Sequence, residues 1–185
     1  MSKKGSASRE LRELAKQVPT EQQIYETLSS LHLDTGHTAD RSMAIIGSTV
    51  VERALEGAIR AKFVPLTKSE LSELFGQSGP LSTFFGKIRI AYALNLIGEK
   101  TKSDLDIIRA VRNAFAHSLL EMRFDFPEIV TLCNEFQVLA QNAELLGNRA
   151  LSRADGKDKF VGTANYIAIR LRRLIDDPSA RDKLP

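Results

Sequence analysis

An all-α bundle of six or seven helices is the fold that this sequence predicts. Three observations carry that expectation. Apolar residues recur at i, i+3/i+4 and i+7 in segment after segment. Helix-start signals precede several of these segments. Alternation at period two never persists, and the Asp-Gly of "ADGK" has charged flanks unlike those of a hairpin turn.

The elements follow in chain order. Residues 1–8 read as disordered, and a short charged helix over about 8–17 stops at "VPT". "TEQQIYETLSSL" is a helix with Thr20 and Gln23 spaced as a capping box and Ile24, Leu28 and Leu31 on one edge. After the loop "DTGHTAD" comes the longest helical signal, about 38–63. Met43, Ile46, Val50, Ala54 and Ala58 form one stripe. Ile45, Glu52, Leu55 and Ile59 form another, and a helix apolar over this width belongs at the centre of a bundle. Thr67 and Glu70 make a second capping box, opening a helix to Phe75. "GQSGPLS" is a turn. It feeds "TFFGKIRIAYALNL", with Gly98 as the expected C′ glycine. Ser103, with Asp106 three residues on, is the expected N-cap of "LDIIRAVRNAFAH". Pro127 opens a helix to about Gly147. The polar stretch "NRALSRADGKDK" precedes a last amphipathic helix, "ANYIAIRLRRLIDD". The expected organisation is therefore a basic arm over 1–19, a helical core domain over 20–147, and a basic linker with a C-terminal helix over 148–185.

Composition narrows the function. Hydrophobic residues make up 43% and charged residues 26%, as in an ordinary globular domain. Aromatics are 6% and Trp is absent, which argues against a base-stacking platform. The lone Cys133 excludes an internal disulfide and a cysteine-rich zinc cage, and its apolar neighbours make it a core residue. No run approaches the roughly 20 apolar residues of a membrane span. The basic N-terminus lacks the apolar centre of a secretory signal. A cytoplasmic protein without membrane contact is expected. No phosphate loop, dinucleotide fingerprint or HExxH is present. His32, His37, Asp34 and Asp40 are close in sequence, but their spacing is not that of a metal site. No metal or cofactor is expected.

The net charge of +3 is unevenly placed. Residues 1–20 hold five Lys/Arg against two acids, and residues 149–185 nine against five. The segment between them holds twelve against sixteen. Lys3, Lys4, Arg170, Arg172 and Arg173 are the candidate contacts for a nucleic-acid backbone. "LFGQSGPLSTFFGKIRIAYAL" is the nearest approach to a helix-turn-helix, with Lys87 and Arg89 on its second helix.

The order "ADRSMAIIGSTVVERALEGAIRAKF", then "LFGQSGPLSTFFGKIRIAYALNLIGEKTKSDLDIIRAVRNAFAH", resembles the mannitol operon repressor (MtlR-like) family over roughly 20–140. The "GPLS" turn, the Lys/Arg helix with "AYALNLI" and the "IRAVRNAFAH" helix carry the resemblance. It implies an all-helical domain and a regulatory role. "RNAFAH" also resembles the Arg-x4-His pattern of HEPN domains, small helical bundles that are often dimeric and in many cases cleave RNA without metal. That resemblance implies Arg112, Asn113 and His117 as catalytic residues. An imidazole can move the proton of a ribose hydroxyl, and a guanidinium can hold the phosphate oxygens.

Helix geometry sets a condition on the HEPN reading. Five residues at about 100° each place Arg112 and His117 roughly 140° apart on a continuous helix. Asn113 and His117 are i,i+4 neighbours. The competing structural expectation is a Glu52–Arg112 ion pair, because Glu52 lies seven residues from both Ile45 and Ile59 on an apolar stripe and needs a cation. Three functions remain in view. The first is a non-enzymatic repressor or co-regulator acting through protein contacts, with a homodimer and non-specific nucleic-acid affinity as companions. The second is a metal-independent endoribonuclease of toxin or defence type, or a degenerate relative. The third is an oligomerisation module.

Overall fold

The computed structural model describes residues 17–33, 38–119, 121–141, 155–177 and 184. The expected helix over 8–17 falls almost wholly outside these residues, as do Lys3, Lys4, Asp34 and His37. Among the described residues the chain forms eight helices and no strand. They are α1 (Glu21–Leu33), α2 (Ala39–Arg60), α3 (Lys68–Phe75), α4 (Phe84–Ala93), α5 (Glu99–His117), α6 (Pro127–Asn134), α7 (Val138–Gln141) and α8 (Gly156–Asp176).

Local sequence explains where they start. The Thr20 hydroxyl accepts from the Gln23 amide at 3.2 Å, and Gln23 Oε1 accepts from the Thr20 amide at 2.9 Å, so the predicted box opens α1. Thr67 and Glu70 do the same for α3. Thr83 accepts from the Gly86 amide to open α4, and Pro127 takes the first turn of α6.

The structure corrects several boundaries. α4 ends at Ala93, and Asn95 rather than Gly98 takes the left-handed turn, with φ 59. Asn is one of the few residues that enter this region at low cost. Gly98 is instead the N-cap of α5, and Ser103 lies inside that helix. The helix from Pro127 breaks at Glu135–Gln137. α8 begins at Gly156, within the stretch read as linker, because Asp155 and Asp158 form a capping box.

α2 is the central helix, and its most extensive contact is with α8. α8 buries Phe160, Ala164, Ile167, Ala168, Leu171 and Leu174 against it, so the C-terminal helix is part of the core rather than an appendage to a domain ending at 147. The helices approach closely at Gly57, where a Cβ would lie 2.5 Å from Ile175 Cδ1. On α2 the buried set includes Met43, Val51, Ala54, Leu55 and Ile59, whereas Ile46 faces solvent. α5 packs on α2 through Leu105, Ile108, Val111 and Phe115. Phe115, Phe124 and Phe160 stack in sequence at centroid distances of 5.0 and 5.2 Å. Cys133 is buried as expected, and desolvation pushes its thiol up to about 12, leaving almost no thiolate at neutral pH.

Two long-range ties close the bundle. Leu184 returns to α5's start, where its carbonyl accepts from the Gly98 amide at 2.6 Å. Asp104, fully buried on α5, accepts from the Gln137 and Val138 amides at 2.9–3.1 Å and so caps α7 from another helix.

Burial holds the Asp104 carboxyl above its ordinary value of 3.8, despite the lowering effect of the Val138 and Gln137 amides. Such a group adds stability below its unfolded pKa and loses it as pH rises through the folded one. Asp104→Asn cannot ionise, so its stability relative to wild type should improve as pH rises from about 3 to about 6. Asp104→Ala strands two amides and should cost about 2–4 kcal/mol. Urea denaturation across that pH range checks both. An Asn variant that loses ground as pH rises would contradict this account.

Candidate functional site

The residues singled out by sequence gather on α2, α4 and α5, but in different pairs from those expected. Glu52 does carry an ion pair from its apolar stripe. Its partner is Lys87 on α4, at 2.8 Å, and not Arg112. Lys87 also reaches Glu56 at 2.9 Å. The Lys87 and Glu56 side chains are only 5% and 7% exposed. Arg53 and Arg60 approach Glu56 at 3.6 and 3.9 Å from the solvent side.

The reason is one of register. Lys87 sits on the same stripe of α4 as Phe84, Ile88 and Ala91, so packing that stripe drives the ammonium into α2. Glu56, one turn beyond Glu52, completes the site. That signal was present in the sequence: a single Lys on an apolar stripe, facing two acids spaced i,i+4.

Arg112 is half-buried near the end of α5, and among the described residues it makes no hydrogen bond or ion pair. Asn113 is half-buried and His117 is exposed. α5 remains helical through His117, so Arg112 and His117 diverge by about 140° and are not brought together within one chain. Arg41 donates to the Ser118 carbonyl at 2.8 Å. Asp40 accepts from the Phe124 amide at 3.0 Å and lies 3.5 Å from Lys157.

A second charged cluster, not anticipated from sequence, covers the outer faces of α4 and α5. Arg89 donates to both oxygens of Asp106 at 2.9 and 2.7 Å. Lys102 and Arg109 stand 3.8 and 3.7 Å from the same carboxylate. The Arg89 and Arg109 guanidiniums lie over the Phe85 ring, at 4.6 and 5.3 Å from its centroid, and Lys102 lies 5.7 Å from that of Tyr92. Phe85 is 48% exposed and Tyr92 43%.

The candidate phosphate-contacting residues are placed as follows. Arg173 holds Glu21 on α1 at 2.9 Å, and Arg172 holds Asp176 at 2.9 Å. Arg170 is half-buried on α8. Among the described residues no group of three or more His, Cys, Asp or Glu is placed to hold a metal ion, and no helix is long and apolar enough to cross a membrane. His32, one of the residues considered for a metal, lies 3.4 Å from Asp158.

These features define an all-α bundle whose α4 is fastened to α2 by a buried lysine between two glutamates. The chain belongs to the MtlR family, described as mannitol repressor, whose model matches residues 20–175. The match takes in α8, as the packing does. No curated protein and no solved structure matches the chain. A regulatory role is thereby supported at the level of the family.

Lys87→Met leaves the half-buried Glu52 without its cation and the buried Glu56 with only the more distant Arg53 and Arg60, and should cost about 2–4 kcal/mol in urea denaturation. Arg112→Met removes no ion pair and should cost less than about 1 kcal/mol. Equal losses from the two substitutions would show that the ion-pair assignment is wrong.

Proposed function

We propose that this protein is a non-enzymatic regulator that works through contacts with another protein. The observation that carries this reading is on α4, the helix nearest to a DNA-reading element. Both of its cations are engaged within the chain, Lys87 by Glu52 and Glu56, and Arg89 by Asp106. A recognition helix needs free polar side chains for base edges and phosphates. A repressor-family chain whose candidate helix lacks them acts by holding or displacing a partner that carries the specificity. Self-association as a homodimer and a cytoplasmic setting belong to the same reading. The basic ends add a weak, salt-dependent attraction for nucleic acid that carries no sequence preference.

The ribonuclease alternative requires Arg112 and His117 to meet at one phosphate. The unbroken α5 weighs against this within a single subunit, because the two side chains leave the helix on different faces.

Incubation of the full chain with end-labelled mixed RNA in excess EDTA, beside His117→Ala, tests the choice. The regulator reading expects intact RNA in both reactions. Cleavage by the wild type that the variant loses would replace it with the nuclease reading.

A further inference from the structure

The geometry points to the outer face of α4 and α5 as a docking site for an acidic peptide segment with interspersed apolar residues, presented by a partner protein. This inference rests on the regulator reading and names the chemistry of the partner it needs.

Charge supplies the first argument. The segment between the basic ends has more acids than cations. On this face the balance reverses, with Arg89, Lys100, Lys102 and Arg109 against the carboxylates of Glu99 and Asp106. Both oxygens of Asp106 already accept from Arg89 Nη2. Arg109 makes only a loose ion pair with Asp106, at 3.7 Å, and its guanidinium is held over Phe85 with the side chain 31% exposed. A guanidinium fixed in this way loses little freedom when it takes a carboxylate.

Apolar surface supplies the second. Phe85 and Tyr92 stand out from α4, and α5 continues from Lys102 and Asp106 into an open groove of about 790 Å³. Ile107, Ala110 and Leu132 give this groove an apolar lining. Carboxylates of a bound peptide would meet the cations along α5 while its aliphatic side chains settle between α5 and α6. Exposed aromatics beside arginine are the composition of interface centres.

Nucleic acid fits less well. The lining of the groove by Ile107, Ala110 and Leu132 suits aliphatic side chains and offers nothing to a sugar-phosphate backbone.

Fluorescence anisotropy of a short labelled peptide of interspersed aspartate and leucine, titrated with the full chain, tests the proposal. Saturable binding is expected, weakened about tenfold by Arg109→Gln and by Phe85→Ser and unchanged by Arg173→Gln on α8. Circular dichroism establishes that each variant is folded, and Arg109→Gln decides alone if Phe85→Ser is not. Absence of saturable binding, or binding that survives both substitutions, overturns the proposal. So does displacement of the peptide by single-stranded RNA or inorganic phosphate at lower concentration than by unlabelled peptide, since that outcome marks a phosphate site. Failure here with RNA left intact in EDTA discards this surface alone, whereas RNA cleavage discards the regulator reading.

Discussion

The buried ammonium of Lys87, held between Glu52 and Glu56, sets the arrangement on which the rest of the molecule depends. Taking three charges out of water costs several kcal/mol per ion, and the mutual attraction repays this only in good geometry. The network therefore contributes little net stability over an apolar equivalent, but it makes one rotation of α4 against α2 far better than its neighbours. With Lys87 pointing inward, Phe84, Ile88 and Ala91 enter the core. Helix periodicity then turns Phe85, Arg89 and Tyr92 outward. Arg89 consequently meets Asp106 on α5, and the cation-rich outer face is a product of the buried one.

The same pattern recurs at other joints of the bundle. Asp104 spends a buried carboxylate on the first amides of α7, and Asp40 joins the start of α2 to Phe124 and to Lys157 on α8. Each is a polar side chain on one helix that satisfies groups on elements distant in the chain, so partner choice as well as apolar burial fixes how the helices meet. The aromatic stack through Phe115, Phe124 and Phe160 fills the region between them. α5 stays helical through His117, so Arg112 and His117 keep the divergence that an ideal helix gives them.

Much of this fold was legible because capping chemistry is local. Thr20 with Gln23 and Thr67 with Glu70 mark helix starts within four residues, and the structure forms both boxes. The boundaries that misled were also local but ambiguous. Gly98 is two residues past the end expected for α4, whereas Asn95 supplies the left-handed turn. The Asp155–Asp158 box was hidden in a polar stretch that reads equally well as a linker. The site was harder to read, because its ion pairs are tertiary. Sequence gave a sound reason for Glu52 to hold a cation, and the lone Lys on the apolar stripe of α4 signalled a donor, but only the packing of α4 on α2 selects Lys87 over Arg112. The Asp106 cluster depends on how α4 lies across α5, which no single helix encodes. For the family itself, the order of the "GPLS" turn and the helices that follow it was sufficient.

If α4 is fixed by this network, the buried partners must be energetically coupled. A double-mutant cycle of Lys87→Met and Glu52→Gln, read by urea denaturation, measures that coupling most directly. The account predicts an interaction of at least about 1 kcal/mol, with the double variant less destabilised than the sum of the singles. Additivity within about 0.5 kcal/mol would contradict it, since residues that do not interact behave in that way.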